Sequence, residues 1–271
     1  MGEKEVIENT RTPSTYETLL KDFKGIGIKK GMILLVHSSL SSIGWVNSGP
    51  AAVILALLDT LGDEGTLVMP AHSGDLSDPS KWENPPVPSE WIDTVKKTML
   101  PFYPDMTPTR GLGIIPEVFR KIDGVLRSDH PQMSFAAKGR LAANITKDHS
   151  LSFGLGMDSP LGKIYSLGGY VLMIGTGHDT NTSLHLAEYL SDFPGKKIRK
   201  NIAPILEDGK RVWVESDDLE DMTEDFDKAG DAFLLSKKEL ATIKNIGQAR
   251  SQLFRQKDLV DFAIDWFKEN R

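Results

Sequence analysis

Residues 31–40, which read GMILLVHSSL, decide the fold of this chain. Positions 32–36 are apolar without interruption, and the run stops at His37, Ser38 and Ser39. A strand that is apolar at every position is typical of the centre of a sheet covered on both faces. We therefore expect a buried central strand here, with a short polar segment at its end.

Two further segments have the same apolar character, GTLVMPA at 65–71 and YVLMIGTG at 170–177. Between the first two strands, PAAVILALLDTLG at 50–62 predicts a helix, with Pro50 in its first turn and Gly62 past its end. The order strand, helix, strand favours parallel pairing. The sequence thus predicts an α/β fold with a central mixed sheet flanked by helices.

The chain after residue 194 changes character. Residues 196–216 predict a β-hairpin with Asp208 and Gly209 in its turn, and residues 241–256 predict further strands. Apolar residues at helical spacing in 256–270 predict a closing helix. We therefore expect a C-terminal β-rich portion followed by a helix. Because we find no repeat and no linker, we expect a single domain over 1–271.

Composition narrows the class of protein. The 271 residues are 39% hydrophobic and 26% charged, which is typical of a soluble globular protein. A net charge of −6 argues against nucleic-acid and anionic-membrane partners and is compatible with a cationic ligand. With no apolar run approaching about 18 residues and no signal-peptide core, we expect a cytoplasmic protein. The chain contains no cysteine, which excludes acyl transfer through an enzyme thiol.

The segment 179–190, DTNTSLHLAEYL, predicts a mostly apolar helix with one polar stripe. If Asp179 or Thr180 caps the helix, the stripe consists of Asn181, Thr182, His185 and Glu188. The segment follows an apolar strand, so its start should lie at the carboxyl edge of the sheet, where open α/β sheets bind ligands. A histidine beside a carboxylate suits a general base. The alternative is a core histidine bonded to Glu188 for structure alone.

Three other polar segments have a functional and an ordinary interpretation. Backbone amides at the Ser38–Ser39 turn can hold an anion, or the turn is simply serine-rich. Arg110 in TPTRGLG can meet a phosphate, or it is a solvated arginine. The loop 72–86 carries carboxylates beside an aromatic ring, which suits a polycation, or it is an ordinary surface loop. Its residues are Asp75, Asp78, Trp82 and Glu83.

Several known motifs are missing from the sequence. There is no GxxxxGK[ST], no complete GxGxxG and no HExxH. A metal set of His185, Glu188 and Asp179, with His178 nearby, is thin because it lacks thiolates and has few histidines. We therefore expect no metal, and a metal-assisted hydrolase remains an alternative.

Read together, six segments resemble the aminoglycoside 3-N-acetyltransferase family in their order and spacing. The resemblance runs from about residue 13 to the C-terminal helix. The segments are HSSLSSIG, MPAHSGDLSDPSKWENPPVPSEW, TPTRGLG, RSDHPQMSF, GLGMDSPLGKIY and DTNTSLHLAEY.

The resemblance implies an acetyl-CoA-dependent N-acetyltransferase, unrelated in fold to the GNAT acetyltransferases, that acts on an aminoglycoside-like polycation. It implies that His185 is the catalytic base, with Glu188 and Asp179 close by. The residues expected to line the coenzyme A cleft are His37, Ser38, Ser39, Thr109, Arg110, Gly111, Gly113, Ser134 and Phe135. The residues expected to face the acceptor are Asp75, Asp78, Trp82 and Thr182.

The chemistry that the resemblance implies fits these residues. His185 removes a proton from the acceptor ammonium, and backbone amides near Ser38 and Ser39 stabilise the oxyanion. Because the chain has no cysteine, direct transfer without a covalent enzyme intermediate is expected. A second alternative is a protein that binds coenzyme A or a polyamine without catalysis.

Overall fold

The computed structural model describes residues 2–220 and 222–271. The described residues form a seven-stranded sheet in the order β3-β4-β2-β1-β5-β9-β8 and a two-stranded sheet of β6 and β7. The strands are β1 (Ile33–Ser38), β2 (Thr66–Pro70), β3 (Leu126–Arg127), β4 (Phe135–Gly139), β5 (Tyr170–Ile174), β6 (Ile198–Glu207), β7 (Lys210–Leu219), β8 (Ala241–Ile246) and β9 (Ala249–Arg255).

Helices cover the larger sheet. They are α1 (Glu3–Glu8), α2 (Tyr16–Ile26), α3 (Leu40–Ile43), α4 (Gly49–Leu61), α5 (Ile92–Thr98), α6 (Ile114–Phe119), α7 (Ala142–Thr146), α8 (Pro160–Ser166), α9 (Ser183–Leu190), α10 (Phe226–Ser236) and α11 (Gln256–Asn270). Across the described ranges, no helix combines the length and the apolar composition needed to cross a bilayer.

The central sheet is mixed, as the sequence predicts. β1 pairs in parallel with β2 on one side and with β5 on the other. The outer strands pair antiparallel, β4 with β2 and β9 with β5. The β-rich C-terminal portion is also confirmed, but it divides: β6 and β7 form their own hairpin, whereas β8 and β9 extend the central sheet.

Alternating residues of β1 supply two hydrophobic cores. Leu34 and Val36 pack with α2 and α4 on one face, through side chains such as Phe23. Leu35 packs on the other face with α8 and α11, through side chains such as Phe267. All of these side chains are buried, which explains the uninterrupted apolar run.

The carboxyl ends of β1, β2 and β5 meet at one edge of the sheet, because the parallel ladder places Ser38 opposite Ile174. The segments that leave this edge are the Ser38–Ser39 turn, the long loop after Pro70 and the segment after Ile174. The structure therefore brings three of the polar segments singled out in the sequence to the same place.

The polar-stripe helix begins later than predicted. Residues His178–Thr180 form a single 3-10 turn, and α9 starts at Ser183. Asn181 between them is extended, and its side-chain oxygen accepts from the Ser183 amide at 3.1 Å. This local hydrogen bond replaces a helical one and separates the two helical segments. The predicted cap at Asp179 or Thr180 is therefore wrong, although the helix itself is confirmed.

Candidate active site

A cavity of about 1040 Å³ opens at the carboxyl edge of the sheet. Its walls come from the turn after β1, the segment before α6, and the segment between β5 and α9. Of the residues singled out in the polar segments of the sequence, those that line it are His37, Ser38, Ser39, Gly111, Gly113, Asp179, Thr180, Asn181, Thr182 and His185.

His185 and Glu188 form a pair on α9. The Nδ1 atom of His185 lies 2.9 Å from Oε2 of Glu188. The His185 side chain is 18% exposed and that of Glu188 is 1% exposed. Because a carboxylate only accepts hydrogen bonds, Nδ1 carries the ring proton and the lone pair on Nε2 is available. The ring also meets the edge of Phe226, with centroids 4.9 Å apart. This arrangement suits a general base.

Glu188 is held by a second partner that sequence patterns did not reveal. Nη1 of Arg271 lies 2.7 Å from Oε1 of Glu188. A buried carboxylate is costly without such a partner. Arg271 is 83 residues from Glu188 in the chain, so no local spacing predicts the contact.

Other polar side chains on the cavity wall belong to β1 and to the segment after β5. Nε2 of His37 lies 3.3 Å from Oγ1 of Thr182. Burial, reinforced by the nearby His178, lowers the pKa of His37 to about 3, so its ring is neutral near pH 7. Among the described residues, the buried hydroxyls of Ser38 and Thr176 find no hydrogen-bond partner. Such hydroxyls are sites that a bound ligand can satisfy.

The Ser39 amide is committed to the sheet edge. It donates to the carbonyl of Ile174 at 2.9 Å, continuing the ladder between β1 and β5. The Ser39 amide is therefore not available to stabilise an oxyanion.

A smaller cavity of about 370 Å³ adjoins the first. His72 and Met133 line both cavities. Burial and the neighbouring His185 lower the pKa of His72 to about 3. The walls of the smaller cavity include Asp75, Trp82, Glu83 and Arg110. The structure thus places a carboxylate-bearing loop directly beside the cavity that contains His185.

Arg110 lies at the smaller cavity rather than the larger one. Its Nη1 is 2.8 Å from Oδ2 of Asp75, and its amide donates to the His72 carbonyl. The residues that follow it, Gly111 and Gly113, line the larger cavity. The segment therefore forms part of both walls.

Five of the expected site residues do not appear on either cavity wall, and one of them is Glu188, which contacts His185 from behind the wall. Thr109 donates through its amide and its hydroxyl to Glu117, in both cases at 2.9 Å. Asp78 caps the short helix Pro79–Lys81. Burial opposes ionisation of Asp78, but hydrogen bonds from Ser80 outweigh it, and the pKa of this carboxyl is lowered.

The other two, Ser134 and Phe135, lie beneath the cavities. Both are 0% exposed. The Ser134 hydroxyl donates to the carbonyl of Ala71 at 2.7 Å, and the Phe135 ring meets His72 edge-on at 5.2 Å. They support the wall of the cavities from below.

A metal site of the kind considered for the hydrolase is not assembled. Within 2–220 and 222–271, no three histidine or carboxylate side chains gather to hold a metal ion. His178 is buried, with its ring nitrogens 3.0 Å from Gln252 and 3.2 Å from Asn181. Asp179 is exposed on the larger cavity.

The site thus combines a histidine–carboxylate pair with two adjoining cavities at the edge of an α/β sheet. Residues 35–268 match the family model described as aminoglycoside 3-N-acetyltransferase. The chain therefore belongs to the aminoglycoside 3-N-acetyltransferase family, a family of acyltransferases.

Individual relatives agree with this assignment. The chain is similar to the SPbeta prophage-derived aminoglycoside N(3')-acetyltransferase-like protein YokD of Bacillus subtilis, with 47% identity covering 98% of this chain and 97% of YokD. The crystal structure of YokD matches with a TM-score of 0.94, covering 98% of each chain.

Two similar structures contain ligands. The structure described as AAC-IIIb binary with CoASH has 32% identity and a TM-score of 0.84, covering 95% of this chain and 97% of the other. The structure of AAC-VIa bound to sisomicin has 27% identity and a TM-score of 0.85, covering 96% of this chain and 99% of the other.

Proposed function

We propose that this protein transfers the acetyl group of acetyl-CoA to an amine of an aminoglycoside-like polycation, with His185 as the general base. The observation that carries the proposal is the contact of His185 with Glu188 at 2.9 Å, in which His185 lines a cavity that adjoins a second, carboxylate-bearing one. A cytoplasmic location is part of the proposal, since acetyl-CoA is a cytoplasmic metabolite.

The larger cavity fits the donor. The buried hydroxyls of Ser38 and Thr176 have no partner within the described chain and could bond a polar ligand. Gly111 and Gly113 have φ of 71° and 78°, and a Cβ added at either would meet open space. Backbone without side chains lets a long ligand lie close to the wall. The relative bound to CoASH supports coenzyme A as the carrier of the donor group.

The smaller cavity fits the acceptor. Asp75 and Glu83 supply negative charge, and Trp82 supplies an aromatic face, a combination that favours cationic amines. Arg110 offsets part of that charge through its ion pair with Asp75. The relative bound to sisomicin supports an aminoglycoside-like acceptor.

The proposed chemistry needs one proton removed and one bond exchanged. His185 accepts a proton through Nε2 as the amine attacks the thioester carbonyl. The new C–N bond forms, the C–S bond breaks, and the departing thiolate takes up a proton. Glu188 holds the ring in the required tautomer and stabilises its protonated form. The chain has no cysteine to carry the acetyl group, which favours direct transfer.

A thiol-release assay tests the proposal. Acetyl-CoA is mixed with the protein and with either an aminoglycoside or a simple monoamine, and free thiol is measured over time. We expect release that depends on the amine, with the aminoglycoside preferred and intersecting initial-rate lines for a ternary complex. Saturable coenzyme A binding without amine-dependent release would favour the non-catalytic binder. Parallel initial-rate lines would contradict direct transfer.

A further inference from the structure

We propose that Arg271 is a positioning residue that fixes Glu188 and sets the proton affinity of His185. This inference rests on the proposed role of His185 as the base. Arg271 is far from α9 in sequence. Its guanidinium contacts the pair formed by His185 and Glu188, here called the dyad, on the side of Glu188 opposite His185.

The contacts of Arg271 are unusually complete. Nη1 donates to Glu188 at 2.7 Å, while Nε and Nη2 donate to the two oxygens of Asp225 at 2.9 and 2.7 Å. Nη2 also donates to the Met222 carbonyl at 2.5 Å. The guanidinium carbon lies 3.9 Å from the centre of the Phe267 ring. A planar group held at this many points has one available orientation.

The same contacts place a positive charge one carboxylate away from the base. Arg271 is 3% exposed and Glu188 is 1% exposed, so water screens their interaction weakly. Glu188 uses Oε1 for Arg271 and Oε2 for His185. The carboxylate is therefore shared between a permanent cation and a titratable ring.

Among the residues that the structure describes, three charged or titratable groups face Glu188, and a fourth faces Arg271. His185 lies on the same helix, Arg271 follows α11, and Lys196 interacts with Glu188 from the segment after α9. Asp225 faces Arg271 from the start of α10.

The groups that face His185 itself are fewer. His72 interacts with it electrostatically from the segment after β2, and α10 presents the uncharged ring of Phe226. Asp179 lines the same cavity from the 3-10 turn.

The electrostatic consequence has a definite sign. A cation beside Glu188 makes it less favourable for the dyad to bind a proton. Removing the cation should raise the proton affinity of the dyad, and removing the nearby anion Asp225 should lower it. A side chain that only fills space has neither effect.

Three variants test the proposal. Arg271→Gln removes the charge, Arg271→Lys keeps it, and Asp225→Asn removes the opposing charge from a partly exposed position. The ring resonances of His185, assigned by their loss in His185→Asn, are followed by NMR from pH 5.5 to 9. The pH dependence of kcat is measured in parallel, and circular dichroism reports the fold at each pH.

We expect the His185 titration midpoint to move up by about one pH unit in Arg271→Gln, the size of shift that a neighbouring charge produces. It should stay near the wild-type value in Arg271→Lys and move down, by less, in Asp225→Asn. The acidic limb of kcat should follow each shift. Should Arg271→Gln fail to fold, Asp225→Asn decides the question.

Unchanged midpoints in Arg271→Gln and Asp225→Asn would overturn the role of Arg271, whatever the activity of His185→Asn. If the midpoints move as expected while His185→Asn keeps its turnover, Arg271 tunes the ring but His185 is not the base. The two failures are therefore distinguishable.

Discussion

The guanidinium of Arg110 lies 2.8 Å from the carboxylate of Asp75, so each neutralises much of the other's charge at the smaller cavity. The second oxygen of Asp75, Oδ1, is buried and has no hydrogen-bond partner in the described part of the chain. Asp75 is thus a carboxylate with one satisfied oxygen and one that a ligand cation could engage.

This ion pair predicts opposite effects for its two members. Asp75→Asn should raise the KM for a polycationic acceptor, because a negative charge is lost. Arg110→Ala should lower that KM, because Asp75 is released from its internal partner. The side chain of Arg110 is 55% exposed and that of Asp75 is 43% exposed. Because the pair is this exposed, we expect the KM for the acceptor to change only a few-fold in each variant, as measured by steady-state kinetics.

Salt and acceptor charge provide the controls for that prediction. Added salt should reduce the difference in acceptor KM between Asp75→Asn and Arg110→Ala, since charge interactions at exposed sites are screened. The KM for a neutral analogue of the acceptor should be the same in both variants and in the wild type. The KM for acetyl-CoA should also be the same in all three proteins. A rise in the KM for acetyl-CoA in Arg110→Ala would instead place the guanidinium at the donor.

His185→Asn should leave coenzyme A binding and the melting temperature close to wild type, while kcat falls by about 10²–10⁴-fold. The reason is that asparagine keeps a hydrogen bond to Glu188 but cannot take up a proton. Thiol release measures turnover, and calorimetric titration measures coenzyme A binding. Retention of more than about a tenth of the wild-type kcat would exclude His185 as the base.

Buried neutral histidines predict loss of stability in mild acid. Burial lowers the pKa of His130 to about 4, and burial together with the neighbouring His130 lowers that of His149 to about 3. In the unfolded chain both titrate near 6.5. Their contribution to the free energy of unfolding is therefore complete above about pH 6.5. It is lost as pH falls toward 4, by up to about 1.4 kcal/mol per pH unit for each ring.

His130 provides a specific variant for this test. Its Nδ1 accepts from the amides of Gln132 and Met133 at 3.1 and 2.9 Å, so protonation of that atom breaks both bonds. His130→Asn keeps an acceptor and removes the titration. The free energy of unfolding, measured with urea between pH 5 and 7.5, should therefore change less steeply with pH in the variant, by about the slope that one titrating proton contributes. Identical slopes in both proteins would contradict this account.

Gly230 predicts a packing effect next to the cavity. A Cβ at this position on α10 would lie 2.0 Å from Cγ of His178, which starts the 3-10 turn on the cavity wall. Gly230→Ala should cost about 1–3 kcal/mol in the free energy of unfolding, as overpacking does. It should also raise the KM for acetyl-CoA, since the turn must move.

Gly25→Ala is the matched control for Gly230→Ala. Gly25 lies within α2, and a Cβ there would meet nothing within 4 Å. The substitution should stabilise the protein by about 0.5–1 kcal/mol through helix propensity. Equal effects of the two substitutions would show that α10 does not pack on His178 as described.

The parts of the fold that the sequence predicts are those governed by local pattern. Residues 33–36 of β1 are apolar because both faces of the strand are buried, and α4 has Pro50 in its first turn and ends before Gly62. The position of β9 beside β5, in contrast, cannot be predicted from local sequence pattern. It depends on a pairing such as Ser251 with Ile174, between residues far apart in the chain, and no local pattern encodes that choice.

The site shows the same division. His185 and Glu188 are three residues apart on one helix, so their contact is predictable from spacing. Arg271 reaches Glu188 only because α11 packs against α9, and Thr176 lies on the cavity wall, with its hydroxyl buried, only because the chain folds around it. The charge of Arg110 is evident from the sequence, but its ion pair with Asp75 is seen only in the tertiary structure.

The two adjoining cavities have an evolutionary consequence. Apart from Arg110, the smaller cavity is lined by residues of two loop segments, 72–85 and 132–133, whereas His185 and Glu188 belong to α9. Apart from His72, which interacts with His185, residues of those segments can be substituted without altering the dyad or its support by Arg271. Natural selection can therefore change which amine is recognised while the reaction itself is inherited intact, and relatives with equal catalytic machinery can diverge in the compounds they modify.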